Sequence, residues 1–537
     1  MFGQMMDQPL LISSILTHAA NYHSDSEIVT RTVEGPIHRY TYKDAEKRSK
    51  KMAFALKNLG VQQGDRIGTL GWNTFRHFEL YYSISGIGAI CHTINPRLFH
   101  EQISYIVKHA ADKFLFVDTT FIPIIEKLKD ELDGVEQIIL MTSKENMPDS
   151  KISFTCYEDL IDNSEEIESW PIFDEKTASS LCYTSGTTGN PKGVLYHHKS
   201  TIMHAYASCL PDTLNLSASD TVLPVVPMFH VNAWGLPYSC PLTGAKIVLP
   251  GSKMDGESLY ELFESEMVTC SAGVPTIWMG LLNFMKEKKV KFSSLNRTII
   301  GGSACPPAMI ETFQKEFNVN VLHAWGMTEL SPLGTVVAPK KKHLKISKEE
   351  YLKVQTTQGR PVFGVDIQII DSDNKPLPWD GKAFGDLVVK GPWIVSDYYN
   401  NPSEESFIKL GEDLWFRTGD VVSIDPDGYI KITDRSKDVI KSGGEWISSI
   451  ELENTAMAHP KVKEAAVIAI KDVKWDERPL LIIVKKDNVE LDESEILSFF
   501  KDKVAKWCIP DKVIFTKEIP HTATGKILKT KLRELYS

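Results

Sequence analysis

The stretch Tyr183–Gly193, with the sequence YTSGTTGNPKG, contains the residue types that cradle a polyphosphate. Glycines allow a tight turn that directs backbone N–H groups at an anion, while hydroxyl and ammonium groups add donors and positive charge. Here these residues are Thr184, Ser185, Gly186, Thr187, Thr188, Gly189, Lys192 and Gly193. The apolar residues 181–183 and 194–195 flank the stretch, which favours a loop between two strands over a flexible Ser/Gly linker. Because the pattern G-x-x-x-x-G-K-[ST] is not satisfied, the sequence excludes a Walker A loop here.

Apolar runs alternate with helical stretches around this loop. Residues 65–73 and 89–95 are typical of strands, and residues 77–88 between them are typical of a helix. The apolar runs at 113–118 and 137–142 continue the alternation. Strands separated by helices of this length indicate βαβ units and parallel sheets.

The last hundred or so residues have a different pattern. A Gly-rich turn at 442–444 precedes a predicted helix at 448–460, the apolar strands 464–470 and 480–486, and a predicted helix at 494–507. We therefore predict an α/β protein with a large N-terminal domain of layered α/β sheets, residues 1–434. A small α+β C-terminal domain, residues 435–537, follows after a hinge.

Composition limits the classes of function. The 537 residues are 42% hydrophobic and 24% charged, with a formal net charge of −10. Proteins that coat nucleic acid usually carry an excess of Lys and Arg, so the sequence argues against that role. Prolines at 224, 227, 237 and 241 interrupt the longest apolar stretch, 222–242, and predict that it does not span a membrane.

The cysteines and the first residues indicate a reducing compartment. Eight cysteines are scattered with no C-x-x-C pair, which is typical of reduced core thiols rather than of disulfides or a zinc site. Residues 1–23 lack a basic segment and contain Asp7, so they predict an amphipathic helix rather than a targeting peptide. We expect a cytoplasmic protein.

Seven further segments share the order of motifs found in one large family. They are 227–230 (PMFH), 301–304 (GGSA), 323–329 (HAWGMTE), 416–420 (FRTGD), 434–437 (DRSK), 441–445 (KSGGE) and 522–526 (TATGK). With these motifs and the loop at 183–193, the sequence resembles the adenylate-forming superfamily of acyl-CoA synthetases, peptide-synthetase adenylation domains and beetle luciferases over nearly its whole length. The resemblance implies that a carboxylic acid attacks the α-phosphorus of ATP to form an acyl-adenylate. ATP, Mg²⁺ and coenzyme A are the implied cofactor and substrates.

The resemblance also implies the nucleotide-binding residues. Glu329 is the implied Mg²⁺ ligand, which suits an ion usually held by one or two carboxylates together with phosphate oxygens. Thr328 is implied to donate to the α-phosphate, Trp325 to face adenine, and Asp420 and Arg435 to contact the ribose. The remaining implied contacts, besides the loop at 183–193, are Gly302, Ser303, Ala304, His323, Ala324, Gly326, Met327 and Ile432.

Two lysines are implied to act in turn. Lys526 would bridge the carboxylate and the phosphates during adenylation, where an ammonium group suits the negative charge on the bridging oxygens. The C-terminal domain would then rotate about the hinge residue Lys437 and bring a second segment, with Lys441, to the site. That segment also contains Gly443, Gly444, Glu445 and Trp446, and its glycines permit the close backbone approach that a pantetheine tunnel requires.

The acid is the least defined part of the prediction. His230 and Trp234 are expected to line an apolar acyl pocket. For His230, a role in the pocket wall and a role as a hydrogen-bonded core residue are about equally compatible with the sequence. The segments near 92 and 442 are most similar to the medium-chain fatty-acid branch, which includes ligases for 3-methylmercaptopropionate. We expect the partners to be a small-molecule acid and coenzyme A, and we leave a homodimer open.

Two other functions stay open on the sequence alone. A stand-alone adenylation enzyme that loads a carrier protein would share the first step. The sequence ends 11 residues after Lys526 with no fused carrier domain, which favours a diffusible thiol. A regulator that binds nucleotide without turnover would be expected to lack Lys526, Glu329 or the phosphate loop, and all are present.

Overall fold

The structure is a computed structural model that describes residues 1, 3–184, 190–442, 445–501, 503–521 and 527–536, without the side chains of Glu445 and Trp446. The described chain forms two compact units. The first contains residues 1–184, 190–365 and 391–403, and the second contains residues 366–390 and the chain from 404 onward. The domain boundary predicted after residue 434 lies within the second unit, in the strand Ile430–Arg435, and stays a prediction.

The first unit contains the predicted alternation of strands and helices. Its strands are β1 (Glu27–Arg31), β2 (Ile37–Thr41), β3 (Arg66–Leu70), β4 (Ile90–Thr93), β5 (Asp112–Val117), β6 (Gln137–Leu140), β7 (Thr155–Cys156), β8 (Ala178–Tyr183), β9 (Gly193–His197), β10 (Thr221–Pro224), β11 (Lys246–Leu249), β12 (Cys270–Gly273), β13 (Arg297–Ile300), β14 (Asn320–Gly326), β15 (Leu333–Val336) and β16 (Arg360–Pro361). Its helices are α1 (Ile12–Tyr22), α2 (Tyr42–Asn58), α3 (Phe75–Gly86), α4 (His100–Ala110), α5 (Ile122–Leu128), α6 (Tyr157–Asp162), α7 (His198–Cys209), α8 (Leu236–Thr243), α9 (Gly256–Ser265), α10 (Pro275–Lys288), α11 (Pro307–Phe317) and α12 (Lys348–Gln355).

These strands form two mostly parallel sheets within the described residues. One has seven strands in the order β7-β6-β5-β3-β4-β8-β9, and only β9 runs antiparallel to its neighbour. The other has nine strands in the order β16-β15-β14-β13-β12-β10-β11-β1-β2, parallel from β14 to β1. The predicted α/β class with parallel sheets is confirmed.

Local sequence explains where several helices begin. Helix α3 follows Thr74, whose hydroxyl accepts the N–H group of His77, and every residue of the helix is buried. Helix α1 begins only at Ile12, although a helix was predicted over residues 1–23. The described residues before Pro9 are exposed and offer no buried face, and the Ile12 N–H group donates to His198 Nδ1 at 3.0 Å.

The second unit is built from one antiparallel sheet, one mixed sheet in which β26 runs parallel to β25, and three α-helices among the described residues. Its strands are β17 (Asp366–Ile370), β18 (Phe384–Lys390), β19 (Phe407–Leu410), β20 (Asp413–Ile424), β21 (Ile430–Arg435), β22 (Ile440–Ser442), β23 (Glu445–Ile447), β24 (Val462–Asp472), β25 (Asp476–Lys485) and β26 (Lys512–Thr516), and its helices are α13 (Ser449–Met457), α14 (Glu493–Phe500) and α15 (Lys529–Tyr536). One sheet has the order β17-β18-β20-β19, with β21 also paired to β20. The other has the order β23-β22-β25-β24, with β26 also paired to β25.

One predicted helix of this unit is shorter than expected. The stretch 494–507 was predicted to be helical throughout, but α14 ends at Phe500. Phe500 is fully buried in the core of this unit, and Lys501 leaves helical geometry with φ −57° and ψ 136°. Among the described residues of either unit, no helix combines the length and apolarity needed to cross a membrane.

Candidate active site

The loop predicted to bind phosphate lies between two paired strands, as its flanks indicated. Tyr183 at the end of β8 is opposite Gly193 at the start of β9. The Thr184 N–H group donates to the Lys192 carbonyl oxygen at 2.9 Å, and the Lys192 N–H group donates to Thr184 Oγ1 at 3.1 Å. The two ends of the loop are therefore closed on each other. Ser185, Gly186, Thr187, Thr188 and Gly189 lie outside the described residues.

Lys192 and Glu329 contact the same aromatic residue. Lys192 Nζ lies 4.7 Å from the ring centroid of Tyr398 and 3.5 Å from Ser403 Oγ. The Tyr398 hydroxyl group donates to Glu329 Oε1 at 2.8 Å. The predicted phosphate-loop lysine and the predicted Mg²⁺ ligand thus lie on either side of one tyrosine.

Thr328 and Glu329 are fixed through their backbones. They begin the short 3₁₀ turn Thr328–Leu330 that follows β14, and both are buried. Tyr196 donates to the Thr328 carbonyl oxygen at 2.6 Å, and the Val395 N–H group donates to the Glu329 carbonyl oxygen at 2.8 Å. Both positions are therefore held by neutral donors.

The surroundings of Glu329 fit a magnesium ion that is bound together with a nucleotide. Glu329 is 6% exposed, and its Oε1 atom accepts from the neutral hydroxyl group of Tyr398. An ionised carboxylate has two oxygens that accept several partners, which is the chemistry that Mg²⁺ requires of a protein ligand. Among the described residues, no group of three or more His, Cys, Asp or Glu side chains could hold a metal alone. Mg²⁺ in phosphate-transferring sites is typically held by one or two carboxylates with phosphate oxygens and water.

A neutral histidine holds the turn that follows β13. His323 is buried, and burial lowers its pKa to about 4, because the charged imidazolium is poorly solvated there. Its Nε2 atom accepts the Cys305 N–H group at 3.3 Å. Gly302 and Ser303 lie exposed in this turn, and Ala304 is half-buried. His323 therefore supports this turn as a neutral acceptor, and its predicted contact with the nucleotide stays a prediction.

Close backbone packing surrounds the predicted adenine residues. Gly302 has φ +80°, and a methyl group placed at Gly301 would lie 2.9 Å from the Ala324 carbonyl oxygen. Trp325 is buried, and a methyl group at Gly334 would lie 2.5 Å from its Cζ3 atom. The register of β14 with β15 shifts between Trp325 and Gly326. After the shift, the Met327 N–H group donates to the Pro332 carbonyl oxygen at 3.1 Å.

The predicted acyl-pocket residue Trp234 ends a left-handed turn. Val231, Asn232, Ala233 and Trp234 have φ between 44° and 56°, although none is glycine. Asn232 anchors the turn to β8, since its Nδ2 atom lies 3.0 Å from Ser180 Oγ. The Trp234 ring covers the turn after β13, with its Cη2 atom 3.3 Å from a methyl group placed at Gly301. His230, directly before the turn, is half-buried.

Sequence reasoning missed the residues that hold these segments. Asn73 is fully buried and donates to the carbonyl oxygens of Pro224 and Val226, each at 2.9 Å, and its Oδ1 atom accepts the Met228 N–H group at 2.7 Å. It fixes the segment that leads to His230. Tyr398 and Tyr196 likewise hold Glu329 and Thr328 from distant parts of the sequence. No motif marked these three residues, because their partners lie 69 to 155 residues away.

The predicted ribose residues lie together in the second unit. Asp420 in β20 is opposite Arg435 in β21, and Arg435 Nε lies 2.9 Å from Asp420 Oδ1. Asp420 is buried, whereas the Arg435 side chain is 40% exposed. Ile432, half-buried, is opposite Val422 in the same pair of strands. The structure thus brings an acidic and a basic candidate into contact.

The segment predicted to serve thioester formation is a hairpin. Lys441 and Ser442 in β22 are opposite Trp446 and Glu445 in β23. The Lys441 N–H group donates to Glu477 Oε2 at 2.7 Å. Lys437 is exposed and lies between β21 and β22. Gly443 and Gly444, and also Lys526, lie outside the described residues.

The closed ends of the loop at 183–193, the buried Glu329 after β14 and the α+β region are the features predicted for a nucleotide-dependent ligase of the adenylate-forming class. The chain belongs to the AMP-binding enzyme family: residues 16–399 match that family, and residues 451–526 match the AMP-binding enzyme C-terminal domain. It is an AMP-forming acyl-CoA ligase, which uses ATP, Mg²⁺ and coenzyme A.

Relatives align along the whole chain. A 3-methylmercaptopropionyl-CoA ligase of Ruegeria lacuscaerulensis is 52% identical, over 99% of this chain and 98% of the relative. A medium-chain-fatty-acid–CoA ligase of Ectopseudomonas oleovorans is 50% identical, over 100% of this chain and 98% of the relative. The crystal structure of an anthranilate–CoA ligase in complex with anthranoyl-AMP superposes with a TM-score of 0.87 at 26% identity, covering 99% of this chain and 98% of that one.

Proposed function

We propose that the enzyme activates an aliphatic carboxylate whose chain is uncharged and of short to medium length, a class that includes 3-methylmercaptopropionate. The observation that carries this proposal is the left-handed turn 231–234. Val231 and Ala233 are buried apolar residues, and the Trp234 ring lies against Gly301 and Gly302, next to the proposed nucleotide residues. An apolar wall closed by an indole ring suits a short hydrocarbon or thioether chain. The names of the two close relatives support the same class.

In the adenylation step, we assign charge stabilisation to the first unit. Lys192 and the N–H groups of the loop neutralise the phosphates, and Thr328 donates to the α-phosphate. Glu329, oriented by Tyr398, holds Mg²⁺, which when bound neutralises phosphate charge. Since the carboxylate and the ATP phosphates are both anions, catalysis depends mainly on positioning the reactants and neutralising their charge. Asp420 and Arg435 bind the ribose, and the turn 302–304 with segment 323–327 binds adenine.

We assign the two steps to two lysines and one hinge. Lys526 serves adenylation, and Lys441 with the hairpin residues Gly443, Gly444, Glu445 and Trp446 serves thioester formation. The mobile domain is 435–537, and Lys437 is its pivot. We expect Lys526→Ala to abolish acid-dependent AMP formation while thioester formation from a supplied acyl-adenylate continues. Normal AMP formation by this variant would refute the role of Lys526.

The test of the substrate class is a panel of acids with purified enzyme, Mg·ATP and coenzyme A. The panel covers acetate to dodecanoate, 3-methylmercaptopropionate, benzoate and cinnamate, with AMP and acyl-CoA measured together. The highest kcat/KM for an aliphatic acid or the thioether acid would support the proposal, whereas preference for an aromatic acid would contradict it. An adenylate trapped by hydroxylamine without any CoA thioester would indicate a carrier protein as the acceptor instead.

We further propose a cytoplasmic location. All eight cysteines are unpaired thiols, which suits a reducing compartment. The possible homodimer stays a prediction that light scattering on the purified protein checks directly.

A further inference from the structure

Two backbone hydrogen bonds cross Lys437, since the Arg435 carbonyl oxygen accepts the N–H groups of Asp438 and Val439 at 2.8 and 2.9 Å. The other contacts of Ser436 and Asp438 are made with different parts of the chain. Ser436 donates from its N–H group to the Gly419 carbonyl oxygen at 2.9 Å, and its hydroxyl group donates to Asp386 Oδ1 at 2.7 Å. Both partners precede Lys437 in the chain. The Asp438 carboxylate instead accepts from Arg533 in α15, and Arg533 also donates to the Lys437 carbonyl oxygen at 3.3 Å. Side-chain contacts therefore anchor residue 436 to one part of the chain and residue 438 to another.

Thr433 and Asp434 precede Lys437 in the chain, but both contact residues that follow it. The Thr433 carbonyl oxygen accepts from the Ser448 hydroxyl group, and Asp434 Oδ2 accepts the Ser449 N–H group at 2.6 Å. Asp434 is 1% exposed and lies at the N-terminus of helix α13, where a carboxylate is favoured. These contacts join strand β21 to the part of the chain that follows Lys437.

A buried ammonium group strengthens the same junction. Lys529, the first residue of α15, lies 2.8 Å from Glu453 Oε1 and donates to the Ser449 hydroxyl group. Burial opposes its charge, but the carboxylates of Glu453 and Asp434 outweigh burial and raise its pKa. In turn, burial raises the pKa of Asp434, and the charge of Lys529 opposes that change. Two charges from opposite sides of Lys437 thus stabilise each other.

A rotation about Lys437 cannot preserve these contacts, because their partners belong to the two parts that separate. We propose that Asp434 is a positioning residue: with Thr433 it latches the chain after Lys437 onto the strand before it. This latch, the contacts of Thr433 and Asp434 with Ser448 and Ser449, sets the equilibrium between the conformation that serves adenylation and the one that serves thioester formation. This inference rests on the pivot role of Lys437 proposed above.

The test measures the two partial reactions separately in the full-length enzyme at saturating substrates. One assay is acid-dependent exchange of pyrophosphate into ATP, and the other is thioester formation from a supplied acyl-adenylate and coenzyme A. Asp434→Asn keeps the shape but removes the charge that faces Lys529. We expect the ratio of the two rates to change about threefold to tenfold, the range expected when a charge-assisted bond is weakened.

Asp438→Asn is the matched control, because it also removes a carboxylate that raises the pKa of Lys529 and weakens an ion pair whose partners both follow Lys437. It leaves the bonds of Thr433 and Asp434 to Ser448 and Ser449 in place. It should leave the ratio unchanged. If Asp434→Asn folds poorly, Ser448→Ala removes the bond to Thr433 instead. That change also weakens the cap of α13, but both residues of the cap follow Lys437, so we expect this loss to affect both rates equally and to cancel from the ratio.

Three outcomes overturn the latch: both rates change by the same factor, only the KM for ATP changes, or Asp438→Asn shifts the ratio equally. Faster hydrogen exchange at the Ser449 amide in Asp434→Asn, but not in Asp438→Asn, would support it. Failure of the wild-type enzyme in both partial reactions with every acid would instead refute the proposed function.

Discussion

The candidate residues of the two units are held by different kinds of contact. In the first unit, Glu329 is fixed by the hydroxyl group of Tyr398 and by a backbone N–H group, and His323 accepts a backbone N–H group as a neutral imidazole. In the second unit, ion pairs hold the candidate segments, such as Arg435 with Asp420 and Arg533 with Asp438. Partly exposed ion pairs contribute little net free energy and exchange partners readily.

The difference in contact type matches the role proposed for each unit. A site that stabilises charge on phosphates needs donors fixed before the reaction, and buried neutral hydrogen bonds provide such rigidity. A segment that must change partners between two steps needs contacts that break without a large loss of free energy. Buried neutral hydrogen bonds at Glu329 and Thr328 in the first unit meet the first need, and ion pairs with a partly exposed arginine, at Asp420 and Asp438 in the second, meet the other.

The largest expected effect comes from the buried carboxylate. Glu329→Gln keeps the acceptor for Tyr398 but removes the charge, so we expect kcat/KM for adenylation to fall by about 10²–10³, as when a main electrostatic group of an active site is removed. Tyr398→Phe is the matched change, because it removes only the hydroxyl group that orients Glu329. Its loss should be about tenfold. Pyrophosphate exchange measures both variants, and equal losses would show that orientation, not charge, is the function of Glu329.

A smaller effect is expected from crowding the proposed adenine face. In Gly334→Ala the new methyl group would lie 2.5 Å from Trp325 Cζ3 and 2.6 Å from its Cε3, so the ring must move. We expect the KM for ATP to rise about fivefold, since one aromatic contact is worth about 1 kcal/mol, while the KM for coenzyme A stays constant. Gly280→Ala in α10 is the control, because nothing lies within 4 Å of the added group. An unchanged KM for ATP would show that Trp325 does not contribute to nucleotide binding.

The sequence was sufficient where local pattern determines structure. Alternating apolar runs predicted β3, α3 and β4, and the apolar flanks of the glycine-rich loop predicted the strands β8 and β9 on either side. In these cases, neighbours in the chain are neighbours in the fold.

Other features depend on partners that are distant in the chain. Asn73 meets Met228 across 155 residues, and Asp434 meets Ser449 because α13 returns to β21. The left-handed turn 231–234 contains no glycine, so no residue type indicated its positive φ values. It is held instead by the contact of Asn232 with Ser180. Tertiary contacts of this kind override local preference and leave no pattern in the sequence.

The smallest effect concerns the neutral hydrogen bonds of the first unit. His204 is buried beside Gly235 and accepts the Leu333 N–H group at 3.2 Å, and burial lowers its pKa to about 3. An unfolded chain binds a proton at this histidine below pH about 6.5, whereas the folded protein does not until about pH 3. Between these values the unfolded state holds more protons, so stability is complete above pH 6.5 and decreases as the pH falls.

We therefore expect His204 alone to lower the free energy of unfolding by about 1 kcal/mol between pH 6.5 and 5.5. His204→Gln keeps an acceptor for Leu333 but cannot titrate, so its urea midpoint should fall less over this interval than that of the wild type. His18→Gln, at an exposed position of α1, should behave like the wild type. Buried neutral histidines such as His204 thus make the first unit sensitive to mild acid. Equal shifts in the wild type and His204→Gln would show that His204 does not contribute to this pH dependence.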